Sequence, residues 1–310
     1  MSADGKNQKQ AIVADLLIRD AEIFDGSGDA PWRGSCAIAD GRIISLSTAE
    51  SRADTQPIRA KQEIDGSGFA LAPGFIDIHT HDDMAVFDSK RMKAKLSQGV
   101  TTVVVGNCGI SASPSPLARH STLIPPLDLL GDNSSFRFTN ANDYMEALAA
   151  AAPTVNVLPL VGHTVLRARA MDDLQLPASN SQLAAMQKDL STALAAGMNG
   201  FSTGLAYPPA KAASTDEVLA LAEVVADVDG LWTTHMRDER SGVVAAVAET
   251  IDIARRSGVR TLISHHKCCG EAAFGLSRTT LAMISKARDE LRLDLDVYPY
   301  TASSTVLLQS

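Results

Sequence analysis

Residues 70–83 read Ala-Leu-Ala-Pro-Gly-Phe-Ile-Asp-Ile-His-Thr-His-Asp-Asp. Residues 70–78 are mostly apolar, punctuated by Pro73-Gly74, which suits a strand covered on both faces. Polar residues then arrive together. Side chains two apart on a strand point the same way, so His79 and His81 project from one face at the strand's C-terminal end. Imidazoles placed like this can hold one divalent cation. A lone His-x-His has an equally ordinary reading, with one ring bonded to a carbonyl and the other solvated.

Upstream, residues 14–23 and 36–46 read as short strands, separated by Asp25-Gly-Ser-Gly and punctuated by Asp40-Gly41. Asp-Gly between apolar runs is a hairpin signal. Residues 63–68 turn into the central strand, so 1–68 reads as a small β module and 69–310 as a second domain. Downstream the texture alternates between strand and helix. Strand-like runs occupy 102–105, 155–161, 200–205, 231–234, 260–264 and 293–298. Between them lie helical stripes: Leu183, Met186, Leu190 and Leu194; Val218, Leu221, Ala222 and Val225 behind a Ser214 to Glu217 capping box; Val243, Val244, Val247 and Ile251; and Leu281, Ile284 and Ala287. Repeated βα units with apolar strands imply an α/β fold with a parallel sheet, of the (β/α)8 TIM-barrel type. Counting the first strand, seven of the eight are legible. The connection 110–140, rich in Ser and Pro, reads as a lid or binding loop, with His120 exposed in it.

The chain has 310 residues, 45% of them hydrophobic, so it can bury a large core. A net charge of −8 without a basic block speaks against nucleic acid as a partner. The polar first ten residues and the interrupted apolar run after them fit neither a signal peptide nor a membrane span, and a cytoplasmic protein is expected. Cys36, Cys108, Cys268 and Cys269 lack Cys-x-x-Cys spacing, which argues against a disulfide framework or a zinc ribbon.

In a β/α barrel the active site lies just past the C-terminal ends of the strands. His79, His81, Cys108, His235 and His265 all fall at such places. Singly, each reads as an ordinary packing residue; together they read as a metal site, and thiolate with imidazole selects zinc. His266 neighbours His265 and must point elsewhere.

Several segments carry a family resemblance: 73–83, already quoted; Gly99-Val-Thr-Thr-Val-Val-Val-Gly-Asn-Cys-Gly; Gly200-Phe-Ser-Thr-Gly-Leu-Ala-Tyr-Pro-Pro; Thr234-His-Met-Arg-Asp-Glu; Ser264-His-His-Lys; and Asp296-Val-Tyr-Pro-Tyr. Together they resemble the D-aminoacylases, N-acyl-D-amino-acid deacylases of the amidohydrolase superfamily. The fourth strand has no lysine for the carboxylated-lysine metal bridge of many amidohydrolases, which fits the subgroup that uses a cysteine. The resemblance implies a tighter Zn2+ on Cys108, His235 and His265, with His79 and His81 contributing to a second, weaker site. It also implies substrate contacts by Lys267, Tyr298 and Ser304, which otherwise read as polar rim residues. His163 and Arg167 are neighbours to watch. The implied reaction is hydrolysis of a small-molecule N-acyl-D-amino acid to a carboxylate and a free D-amino acid. The family's general-base aspartate, at the end of strand eight, is expected beyond Ser310, so the chain resembles an N-terminal portion with an open barrel. The alternatives are a cyclic amidohydrolase acting on hydantoins or dihydropyrimidines, and an inactive truncated barrel that binds zinc or a partner.

Overall fold

The structure, a computed structural model, describes residues 12–48, 58–117 and 119–305. The chain forms two compact units, Met1–Gly74 and Phe75–Ser310.

In the smaller unit, β1 (Ile12–Ile23) pairs antiparallel with β2 (Trp32–Ala39) and parallel with β4 (Ile58–Asp65) and the short β5 (Ala70–Leu71). The strand β3 (Arg42–Thr48) returns from β2 through Asp40-Gly41. Their φ values of 50° and 70° are the pair of positive angles that a tight hairpin turn needs. Ala14, Leu17 and Ala37 form a small core with Ile58 and Ala60.

The larger unit is α/β. One sheet has the order β6 (Phe75–Asp77), β7 (Val100–Val105), β8 (Asn156–Pro159). The other runs from β9 (Val161–Gly162) through β10 (Gly200–Gly204), β11 (Leu231–His235) and β12 (Arg260–Ile263) to β13 (Leu293–Leu295). Every pairing in both sheets is parallel. The helices α1 (Ser89–Leu96), α2 (Ala141–Ala151), α3 (His163–Ala170), α4 (Asn180–Ala195), α5 (Pro208–Lys211), α6 (Thr215–Ala226), α7 (Val243–Ser257) and α8 (Ser277–Arg288) lie between strands. Helix on strand buries a large core in which Phe201 stacks on Trp232 at 6.1 Å, and α7 and α8 close a second cluster over β12 and β13 around Val247, Ile251 and Ile284.

Several expectations are corrected. The stretch 70–78 is not one buried strand. Proline lacks the N–H a ladder needs, and Pro73-Gly74 separates β5, which serves the smaller unit, from β6. Among the described residues β6 is hydrogen-bonded on one side only, so Phe75 and Ile76 remain 66% and 63% exposed. The expected run 293–298 ends as a strand at Leu295, which leaves Asp296 free to turn inwards. Residues 110–140 do not form a loose lid. Leu127, Leu130, Phe136 and Phe138 are buried, and the Ser111 and Ser113 hydroxyls donate to the backbone carbonyls of Ser113 and Asn140. His120 is half-buried, its ring 3.2 Å from the Met171 carbonyl. In α8, Ile284 and Ala287 are buried but Leu281 is 47% exposed. At the start of α6 only half of the capping box forms: Ser214 accepts from the Glu217 N–H, but the Glu217 side chain points into the core.

That carboxylate meets the fully buried Arg167 at 2.6 and 2.8 Å and the His163 ring at 2.8 Å. The remaining Arg167 donors go to the carbonyls of Leu174, Leu176 and Pro209. Such a set is tolerable in a core only because every donor is satisfied. Burial pushes His163 down, so its neutral ring donates Nε2–H to Glu217. Burial raises the Glu217 carboxyl, but His163 and Arg167 outweigh it and hold the group at about 2. Glu217→Ala leaves a buried guanidinium without its partner and is expected to lower stability by roughly 3–5 kcal/mol, read as the shift in urea midpoint. The folded value lies below the unfolded one of about 4.3. The carboxylate's contribution is therefore present above that pH and lost as pH falls through about 2. The stability gap between wild type and Glu217→Gln should narrow over that window.

Candidate metal centre

The loop after β7 reads Gly106-Asn107-Cys108-Gly109. Gly106 has φ 80°, and a Cβ there would stand 2.2 Å from the Leu160 carbonyl oxygen, so the position admits glycine alone. Cys108 itself adopts φ 56°, a left-handed conformation uncommon outside glycine, and is buried. Asn107 anchors the turn: its amide donates to the carbonyls of Ile78 and Val104, and it accepts from the Thr233 hydroxyl.

Four imidazoles converge on the Cys108 sulfur. His79 Nε2 lies 3.1 Å from it and His265 Nε2 3.5 Å. The His235 ring centre is 4.5 Å from that of His265, and the His81 ring centre is 5.7 Å from that of His79. Burial opposes the thiolate, but the neighbouring rings of His235, His265, His79 and His81 outweigh it and hold the thiol well below its ordinary value. The sulfur in turn acts on the rings. Burial lowers His79, yet Asp296 and Cys108 raise it to about 10; burial lowers His265, yet Cys108 and Glu239 raise it to about 9.

Two carboxylates orient this cluster, and neither is among the residues expected from the sequence. Asp296, first after β13, accepts the His265 backbone N–H at 2.6 Å and faces His79 Nδ1 at 3.3 Å. Glu239 pairs with His265 Nδ1 at 2.8 Å and Lys267 Nζ at 2.6 Å, and lies 3.7 Å from His235 Nε2. Burial raises Glu239, but His265, His235 and Lys267 prevail and hold it at about 2. A signal for each was legible. Asp296 obeys the strand-end rule once the strand is cut at Leu295, and Glu239 follows His235 by four residues.

The cluster opens into a cleft of about 1290 Å³ lined by His79, His81, Cys108, His235 and His265, and also by Lys267, Tyr298 and Ser304. The Lys267 ammonium stands 5.7 Å from the Tyr298 ring centre. Tyr207 closes one wall, its ring 4.8 Å from that of His235. Burial, with Cys108 and Glu239 nearby, pushes the Tyr207 phenol up, so it stays protonated. His163 and Arg167 do not line the cleft; they belong to the buried Glu217 cluster.

The donor set fits a divalent ion. The ligand atoms of His79, Cys108 and His265 lie within 4.8 Å of one another, as do those of His235, Glu239 and His265. With bonds of ~2.0–2.3 Å, neighbouring ligands of a tetrahedral zinc stand ~3.3–3.8 Å apart, and the separations of 3.1 and 3.5 Å at Cys108 are close to that range. His235 Nδ1 is buried without a hydrogen-bond partner, a nitrogen available to an ion. His265 is shared by both groups, so the five residues can serve two neighbouring ion positions. No lysine stands on β10, where Ser202 and Thr203 are buried and hydrogen-bonded. No helix among the described residues is long and apolar enough to cross a membrane.

Comparison with known proteins agrees with this architecture. N-acyl-D-aspartate deacylase of Alcaligenes xylosoxydans xylosoxydans is 46% identical over 296 residues, covering 95% of this chain and 57% of the relative. D-aminoacylase of the same organism is 42% identical over 303 residues, covering 98% and 61%. The chain thus spans about three fifths of the length of these curated relatives. Among solved structures, N-acyl-D-glutamate deacylase from Bordetella bronchiseptica superposes with a TM-score of 0.84 at 43% identity, covering 93% of this chain and 59% of that one. It was solved with zinc and a phosphonate that mimics the tetrahedral intermediate of its reaction. Residues 62–266 match a family described as the amidohydrolase family, and on that match over most of its length the chain belongs to the amidohydrolase family.

Proposed function

We propose that the chain carries the metal centre of a zinc-dependent deacylase that hydrolyses N-acyl-D-amino acids to a carboxylate and a free D-amino acid. The observation that carries this reading is the convergence of four imidazoles on one buried thiolate at the floor of an open cleft. The names of the relatives support the D-amino-acid preference. The parallel βα units, with the reactive side chains gathered past the strand ends, support a (β/α)8 TIM-type barrel for the larger unit.

Cys108, His79, His265, His235 and His81 would supply the ligands of a tighter zinc site and a second, weaker one beside it. Zinc supplies Lewis acidity, which polarises an acyl carbonyl and lowers the pKa of water towards ~7. The protein's own groups do the rest. Asp296 fixes the His79 ring and the His265 backbone, and Glu239 fixes His265 and Lys267. This outer shell sets the orientation of metal-binding imidazoles. Lys267, Tyr298 and Ser304 line the cleft where a substrate carboxylate and amide would lie, and the Lys267 ammonium suits an anionic group. Tyr207, kept protonated by its burial, offers a donor rather than a charge on the facing wall.

The chain extended to the length of its curated relatives and loaded with zinc should release free amine from N-acetyl-D-aspartate, N-acetyl-D-glutamate or N-acetyl-D-leucine and leave the L-forms intact. Ring opening of a hydantoin or dihydropyrimidine without any deacylation would overturn this reading. Cys108→Ala should weaken zinc binding by on the order of 100-fold or more, above the loss usual for outer-shell changes, as measured by metal analysis after dialysis.

Proton release on zinc uptake gives an independent check. His79 and His265 titrate at about 10 and about 9, so both are protonated near neutral pH, while the thiolate has already lost its proton. Zinc binding requires unprotonated imidazoles and is expected to release about two protons per ion near pH 7. Release should fall, and apparent affinity level off, as pH rises through about 9 and about 10. Titration calorimetry in buffers of different ionisation enthalpy reads this count.

A further inference from the structure

We infer that Ser202, on β10, and Asp83, beyond His81, form a clamp that sets the position of the Cys108 sulfur, and that both are positioning residues for the metal centre. The inference rests on the proposed zinc site. Ser202 donates its hydroxyl to the Gly106 carbonyl and accepts the Gly109 N–H at 2.9 Å. One hydroxyl thus bridges the loop directly behind Cys108. From the other side, the Asp83 carboxylate accepts the Gly106 N–H at 3.2 Å and the Ala112 N–H at 3.1 Å. The peptide groups flanking Gly106 are therefore tied at both ends, one to a strand and the other to the segment that bears His79 and His81.

The clamp has a physical reason to exist. Cys108 has φ of 56°, a left-handed conformation that a non-glycine residue in a free loop would leave, next to Gly109, whose φ of 76° glycine takes without strain. Ser202 and Asp83 are 0% and 2% exposed and neither lines the cleft, so Ser202 acts on the site through this loop, and Asp83 through the loop and through its charge beside His81. An apolar side chain at 202 would strand the Gly109 N–H in the interior. The strand that lacks a metal-bridging lysine thus serves the centre indirectly, by holding the cysteine that takes a ligand's place.

The test uses the full chain with zinc and cobalt(II) as probes. Zinc affinity comes from competition with a chromophoric chelator, and sulfur ligation from the thiolate-to-cobalt charge-transfer band. Ser202→Ala and Asp83→Asn, which retains one acceptor oxygen where the carboxylate supplied two, should keep the circular dichroism of the parent, lose roughly 10–100-fold in zinc affinity and weaken the band per bound cobalt. Thr203→Ala removes a neighbouring buried hydroxyl, bonded to Thr234 and Trp232 rather than to the loop. It should lower thermal stability and leave the band unchanged. Parent-like affinity and band in both clamp variants would overturn the inference. An equal loss of the band in Thr203→Ala would do so as well, since the effect would then be general softening. A Ser202→Ala chain that fails to fold assigns that hydroxyl to the fold at large and overturns its positioning role, leaving Asp83→Asn to decide for the carboxylate. Failure of the zinc reading itself is distinguishable, because Cys108→Ala would then bind zinc as the parent does.

Discussion

One buried sulfur organises this molecule. A thiolate costs free energy inside a protein unless opposite charge or hydrogen-bond donors meet it, and here imidazoles from three separate strand ends do so. The stabilisation is mutual, since the same sulfur raises His79 and His265. A cluster in which protons hold imidazoles around a thiolate is chemically the counterpart of one in which a cation does. Protons and metal compete for the same lone pairs. The cleft, the flanking carboxylates and the wall residues all take their place relative to that sulfur.

Holding the sulfur requires backbone in unfavourable conformations, and the fold answers with buried polar groups that are almost all satisfied. Asn107, Ser202, Asp83 and Asp296 each bond backbone near a proposed ligand, which converts loops into rigid supports. The Arg167–Glu217 cluster extends the pattern away from the cleft: Arg167 grips the Pro209 carbonyl in α5, just beyond Tyr207 of the cleft wall. Polar networks of this kind specify one arrangement because any slip strands a buried donor.

The parallel α/β texture was legible from apolar runs and helical stripes because parallel strands bury both faces and helices one. Where the reading erred, a local rule was overridden. Pro73-Gly74 cut the leading strand in two, and Glu217 left its cap for Arg167 because a buried guanidinium outweighs an exposed N–H. The connection 110–140 looked like a lid by composition, yet its serines satisfy backbone groups internally and its aromatic residues fill the core. The hydroxyl of Ser202 has no signal in the sequence, because what decides its role is which loop packs against it.

The sequence by itself determined the metal-binding chemistry on offer: His79, His81, Cys108, His235 and His265 lie at strand ends, and parallel strands in a βα array bring their ends together. Tertiary structure alone decided which of those residues share a sulfur, which carboxylates orient them and which hydroxyl holds the cysteine loop. Those relations join residues far apart in the chain, such as His79 with Asp296 and Gly109 with Ser202. Hydrogen bonds form over about 3 Å, a distance that only the packed fold defines.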